Sequence, residues 1–495
     1  MSESASGITQ AVAPDKRQLF GQPRGLFTLF FTEMWERATY YGMRAILLLF
    51  MTALVAKGGL GIDDRTANAI YGLYIAATYL MSLWGGWVAD RLIGQQRAIM
   101  SGGVLIMIGN AMLVFSDTLF FFVGLIVIVF GTGLLKPNIS AVVAQLYPEG
   151  GARRDAGFSL FYTGINLGAL IGQTIVPIAA VMLGWKVGFA VPALGMAFGL
   201  TQFWMGRKFL GQAGATPSGS GNWWAVYGLV ALTILIVALA SLGRIHLDPV
   251  AISAGANWAM ILLAAVYFLY LLFFAGLEPH EKGRVLAMIS LFVACAMFWA
   301  GFEQAGSSFT LFADRYTDRD LFGIEIPSGA VQSVNAFFII IFAPAFAALW
   351  VWLGRRNLNP SYPLKFALGL LFLGFGFAVM VFASHYVLEG QRVAPTWLVL
   401  TYLFHTFGEL CLSPVGLSSM TKLAPARFVG QVLGVWFLAT AIGNNLAGQL
   451  AGRIDQNNLA TLSEQYSYLF WWGIIGGTVM ILLTPLIKRL MAGVK

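Results

Sequence analysis

Residues 33–44 read EMWERATYYGMR, inside an apolar run that extends from Leu26 to about Ala56. A run of that length can cross the roughly 30 Å hydrocarbon core of a bilayer. Yet it carries Glu33, Glu36, Arg37 and Arg44. An ionisable side chain at mid-depth costs at least about 2.5–3.5 kcal/mol, so four in one span call for a functional reason. At about 100° per residue, Glu33, Glu36, Arg37, Tyr40, Tyr41 and Arg44 fall near 0, 300, 40, 340, 80 and 20°, an arc of roughly 140°. The charges therefore share one helix face with two tyrosines. That face predicts one wall of a polar interior within a membrane protein.

The rest of the chain agrees. Of 495 residues, 58% are hydrophobic and 11% charged, against about 25% charged in an ordinary soluble domain. Cutting at polar, Gly- or Pro-containing breaks gives spans near 25–56, 66–89, 96–116, 119–146, 156–183, 186–206, 223–243, 254–276, 284–312, 330–354, 364–385, 395–421, 428–452 and 466–487. These 14 segments leave no room for a soluble domain, and the fold class expected is an all-α integral membrane protein. The first 24 residues hold no apolar stretch before a small-residue cleavage site, so the first span is expected to act as its own insertion signal. Cys295 and Cys411 both lie in apolar windows and read as packing residues. The net charge of +8 does not point to nucleic acid, because the basic residues are spread over short loops. With the N-terminus inside, 19 Lys and Arg fall on inside loops and tails, among them Lys16, Arg17 and Lys495, and 8 on outside loops. That bias places both termini in the cytoplasm.

The small, polar stretch GQAGATPSGSGN (211–222) reads as a linker after six spans. The domain layout expected is 1–210 for a first six-helix bundle, 211–280 for the linker and two inserted spans, and 281–495 for a second six-helix bundle. The inserted spans contain no ionisable residue and read as lipid-facing filler or a packing accessory. An internal repeat relates the halves. GTGLLKP (131–137) matches GELCLSP (408–414), and FTEMWER (31–37) matches FWAGFEQ (298–304), aligning Glu36 with Glu303. Parallel repeats of this kind mark transporters that bind substrate between their halves.

Further polar pairs occur at i, i+4 within spans: Trp299 with Glu303, Tyr162 with Asn166, and Glu409 with Ser413. Arg37, Arg44 and Lys136 in the first half oppose Glu303 and Glu409 in the second. Ion pairs that close in one state and break in another would supply the bistable element of alternating access. Four carboxylates against three cations leave a nominal charge of −1, which one bound proton would neutralise. His405, one turn before Glu409, reads as a buried structural histidine or a proton relay, with the former favoured. GGWVADRLIGQQR (85–97) and DRYTDRD (314–320) read as solvated charged loops. No metal-ligand cluster, phosphate loop or nucleophile–base pair is present, so neither an enzyme nor a metal or organic cofactor is expected.

The 85–97 loop resembles the signature between the second and third helices of the major facilitator superfamily. EMWERATYYGMR resembles the ExxER motif of the proton-dependent oligopeptide transporter family, and GTGLLKPNIS (131–140), FYTGINLGAL (161–170), FWAGFEQ (298–304) and GELCLSPVG (408–416) are similar to its other motifs, in order. The resemblance implies the major facilitator fold, two six-helix bundles with two extra helices between them as in bacterial members. It implies a proton-coupled symporter that imports di- and tripeptides by alternating access. On that basis Arg37 and Lys136 would hold the peptide carboxylate, with Tyr40, Tyr41, Arg44 and Tyr79 lining the same end. Glu409, Asn166 and Asn335 would hold the ammonium, with Tyr162 and Ser413 nearby, and Trp299 and Trp436 would border side-chain pockets. Glu33, Glu36, Arg37 and Glu303 would carry proton coupling, and Arg44–Glu303 and Lys136–Glu409 would be gating salt bridges. Ala38 stands where the family usually has Phe, and the second span has no histidine, so protonation should rest on glutamates.

The partners implied are di- and tripeptides and peptide-like small molecules, protons and the lipid bilayer, with no nucleic acid and a functional monomer. The location implied is a bacterial inner membrane. A nitrate or other small-anion transporter of the same family is disfavoured because Glu409 would repel an anion. Drug/proton antiport would drive protons against the substrate, and a receptor would bind its ligand without flux.

Overall fold

The computed structural model describes residues 18–491 and 493, apart from 116, 150, 216–221 and 322. Lys16, Arg17, Lys495 and half of the expected linker lie outside the described residues. The helices are α1 (Arg24–Thr52), α2 (Asp64–Val88), α3 (Gln95–Leu113), α4 (Thr118–Gln145), α5 (Gly151–Leu183), α6 (Trp185–Gly206), α7 (Trp224–Ser241), α8 (Pro249–Phe273), α9 (Pro279–Phe302), α10 (Ser308–Tyr316), α11 (Ser333–Arg355), α12 (Tyr362–Leu388), α13 (Thr396–Leu423), α14 (Val429–Ala451) and α15 (Ala460–Leu490). All but the nine-residue α10 are long. Strand among the described residues is confined to two hairpins of two-residue strands, at 18–23 and 320–325. Helices dominate because a backbone in hydrocarbon must satisfy its own hydrogen bonds.

Among the described residues, eleven segments are long and apolar enough to cross a membrane by length and hydropathy alone. The helix α1 falls outside that set because its ionisable residues lie in mid-helix, and these are buried inside the protein. Several turns are closed by acidic caps. Asp63 accepts from Thr66 N at 3.0 Å at the start of α2, and Asp117 and Asp248 cap α4 and α8 in the same way.

α1–α6 form one bundle and α9–α15 the other, with α7 and α8 between them in sequence, the arrangement that the resemblance to the major facilitator superfamily implies. Across the halves, α2 packs on α14 and α5 on α11. The inserted pair divides its labour. No residue of α7 is buried, whereas α8 is stitched to α14: Ser253 Oγ donates to Asn445 Oδ1 at 2.8 Å, and Gln449 Nε2 donates to Ser253 Oγ at 2.9 Å.

One expected span is interrupted within a single membrane-long segment, Pro279–Tyr316. Residues 284–312 do not form a continuous helix: α9 stops at Phe302, a tight turn covers Glu303–Gly306, and α10 restarts at Ser308. Ser307 leaves helical geometry at φ −120°, ψ −99°. Tyr71 Oη from α2 presses so closely on Gly306 that a Cβ there would collide with it. The break turns Glu303 out of the helix end towards α1.

Close helix approach within the first bundle rests on small residues. Gly85 on α2 lies directly against the backbone of Gly133 and Leu134 on α4, leaving no space for a Cβ. Gly85→Ala is therefore expected to destabilise by about 1–3 kcal/mol through overpacking. Thermal unfolding of the detergent-solubilised protein checks this, and an unchanged midpoint would contradict it.

Candidate functional site

The charged face of α1 organises the site. Arg37 sits between two carboxylates of its own helix: its Nε lies 3.1 Å from Glu33 Oε1 and forms an ion pair with Glu36. All three side chains are buried. Arg37 Nη2 and both Glu36 oxygens have no hydrogen-bond partner among the described residues. Two turns on, Arg44 donates to Glu303, and its Nε and Nη2 reach Tyr71 Oη at 3.1 and 3.0 Å. Tyr40 and Tyr41 lie between the guanidiniums: Arg37 Cζ is 5.3 and 6.0 Å from their ring centroids, and Arg44 Cζ is 5.3 and 5.6 Å away. Such cation–π contacts hold the cations in place without neutralising them.

Lys136 comes from α4, with its Nζ 3.8 Å from the centroid of the Tyr79 ring. It lies within electrostatic reach of Arg37, Glu36 and Glu33. Fully ionised, Glu33, Glu36, Arg37 and Lys136 sum to zero. One added proton makes the cluster cationic.

The opposite wall belongs to the second half. Asn335 Nδ2 on α11 donates to Glu409 Oε2 at 3.2 Å and to Thr406 Oγ1 at 3.0 Å, both on α13. Asn166 Nδ2 on α5 donates to Tyr162 O at 3.0 Å. Tyr162, Asn166 and Ser413 line a cavity of about 850 Å³ between α5, α11 and α13, whose apolar lining includes Phe158, Ile339 and Trp350. Trp299 is half-buried beside Phe298 and Phe302 and packs on Gly443. Trp436 stands in the second bundle's core against Gly416 and Phe366, not among the residues lining this cavity. His405 is enclosed by Phe302, Phe309 and Phe377, with ring centroids 6.3, 5.6 and 5.0 Å away.

The two ends of the molecule differ. At one end the halves are shut: Gly72 on α2 lies so near α14 that a Cβ would stand 3.0 Å from Asn445 O and 3.2 Å from Gly448 Cα. Above this seam Arg315 Nη1 and Nη2 donate to Asp64 at 2.6 and 2.9 Å, and Gln456 Nε2 donates to the same carboxylate at 2.6 Å. The stretch at 314–320 is thus not merely a solvated charge run. Towards the other end, where α5 begins and α11 finishes, the 850 Å³ cavity separates the halves. Lys136 and Glu409 form no ion pair there: Lys136 stands on Tyr79, and Glu409 is engaged by Asn335.

Tyr71, Tyr74, Asp64 and Arg315 were not singled out from sequence. Tyr71, Tyr74 and Tyr79 are a visible signal, three tyrosines along an otherwise apolar span. Nothing local marks Asp64 as the partner of Arg315, which lies 251 residues away.

Among known proteins, the PTR2 family profile, described as the POT family, matches residues 96–468. The chain belongs to the POT family. It is 41% identical over 503 residues to the peptide transporter YePEPT of Yersinia enterocolitica, covering 98% of each chain. It is 36% identical over 495 residues to a di-/tripeptide transporter of Lactococcus lactis, covering 97% of this chain and 99% of the relative. A solved peptide transporter POT variant in complex with alafosfalin superposes with a TM-score of 0.88 at 42% identity, covering 97% and 98% of the two chains. The POT family is one of transporters, and with its apolar spans this member is a multi-pass membrane protein.

Proposed function

We propose that the protein is a proton-coupled symporter that imports di- and tripeptides, and peptide-like small molecules, across a bacterial inner membrane, with both termini cytoplasmic. The observation that carries this reading is the separation of charge across the site: Arg37 and Lys136 on one half, and Glu409 held by Asn335 on the other. A short peptide is a zwitterion, and opposed charges fit its two ends at once. Relatives named as peptide transporters and a POT structure holding alafosfalin support the same reading.

Coupling follows from electrostatics. Arg37 is occupied by Glu33 and Glu36. Protonating either carboxylate releases positive charge from Arg37 and Lys136 for the incoming peptide carboxylate. By linkage, the bound peptide raises proton affinity by the same factor. The Arg44–Glu303 pair acts as an outer gate and Lys136–Glu409 as an inner gate that is open in this conformation. Residues 1–210 and 281–495 rock as two bodies about the site, α7 and α8 connect them, no cofactor beyond the proton is required, and a monomer suffices.

Competition tests the clamp. Dialanine should displace a labelled dipeptide, whereas N-acetyl-dialanine, which lacks the ammonium, should bind at least about 10-fold more weakly. Glu409→Gln should narrow that difference. Equal binding of the two ligands by the unaltered protein would sink the assignment of Glu409.

A further inference from the structure

At the end of the bundle where α1 begins and α6 finishes, two adjoining crevices flank the last turn of α6. One, of about 630 Å³, is lined by Gln96, Arg97, Trp204, Met205, Arg207 and Lys208. The other, of about 650 Å³, runs between α1 and α6 past Arg24, Phe27, Phe31 and Phe198, and shares Met205 and Lys208 with the first. No carboxylate among the described residues lines either crevice. Among the described residues, Arg24, Arg97, Arg207 and Lys208 make no ion pair; Arg24 and Lys208 lie over the Phe209 ring, 5.6 and 5.3 Å from its centroid.

The first crevice has a fixed wall. Gln96 Nε2 donates to Gly211 O and Ala213 O at 3.1 and 2.8 Å, and Gly214 N donates to Gln145 Oε1 at 2.7 Å, so the chain leaving α6 is tied back over α3 and α4. In the second, Phe198, 63% exposed, presents apolar surface beside Arg24 and Lys208, and Trp204, also 63% exposed, lines the first crevice next to them. Uncompensated positive charge meets an apolar furrow where a helix end leaves the hydrocarbon. An anionic lipid has the same polarity.

We propose that this is a binding site for an anionic phospholipid, with its phosphate held by Arg97, Arg207 and Lys208 and an acyl chain lying along the α1–α6 groove. None of Glu33, Glu36, Arg37 and Arg44 lines either crevice. Each cation near an anionic membrane surface contributes roughly a fivefold factor in affinity, so removing three should cost about 100-fold.

Native mass spectrometry of the full chain with phosphatidylglycerol, phosphatidylcholine or inorganic phosphate tests this. The unaltered protein should retain phosphatidylglycerol over phosphatidylcholine. Arg97→Gln/Arg207→Gln/Lys208→Gln should lose that preference, while Arg355→Gln/Arg356→Gln, at the same end of the bundle, should keep it. If the triple variant fails to fold, Arg207→Gln alone should weaken retention about fivefold. Equal retention by the unaltered and altered proteins would overturn the proposal. So would inorganic phosphate that binds as tightly as the lipid, which would make the crevice a site for free anions.

Discussion

Arg37→Ala is expected to reduce dipeptide uptake about 10- to 100-fold and to lower thermal stability. Two separate costs fall on two separate measurements. Arg37 is the cation that Glu33 and Glu36 share in a buried site, and removing one partner of a buried ion pair costs about 3–5 kcal/mol. The substrate carboxylate also loses a charge-assisted contact worth about 1.5–3 kcal/mol. Arg37→Lys should recover only part of the activity, because an ammonium cannot present a planar fork to carboxylates on two sides. Binding of dialanine measured by calorimetry, beside uptake in proteoliposomes, checks both. Near-normal uptake by Arg37→Ala would remove Arg37 from the site.

Glu36→Gln, and in parallel Glu33→Gln, should abolish proton-driven accumulation while peptide counterflow survives. Replacing a carboxylate by an amide fixes the cluster of Glu33, Glu36, Arg37 and Lys136 at a net positive charge, as if the proton never left. The dependence of peptide binding on pH should weaken in either variant and vanish only when both carboxylates are replaced. Exchange of labelled for unlabelled dialanine across vesicles without a proton gradient separates coupling from folding. Loss of both driven uptake and exchange would make these glutamates structural.

Much of this was legible in the sequence because intramembrane charge is costly and therefore rare. The helical phase of EMWERATYYGMR placed Glu33, Glu36, Arg37 and Arg44 on one face, and they are buried together. The motif resemblance named the family that the comparisons then showed. What the sequence hid depends on contacts between distant segments. The break at Glu303 goes with a close approach of Tyr71 on α2 to Gly306, a contact between segments far apart in sequence that leaves no room for a Cβ. The pairing of Asp64 with Arg315 joins residues that each look solvated. The unequal roles of α7 and α8 show only in packing: α8 buries Ser253, Asn257, Met260, Ala264, Phe268 and Leu271, with Ser253 bonded to α14, whereas no residue of α7 is buried.

The most direct measurement is uptake of labelled dialanine into proteoliposomes under an imposed inward proton gradient, with and without an ionophore that collapses it. Accumulation above the external concentration, abolished by the ionophore, is the expected result. Failure to concentrate the peptide, or accumulation unaffected by collapsing the gradient, would contradict proton-coupled symport.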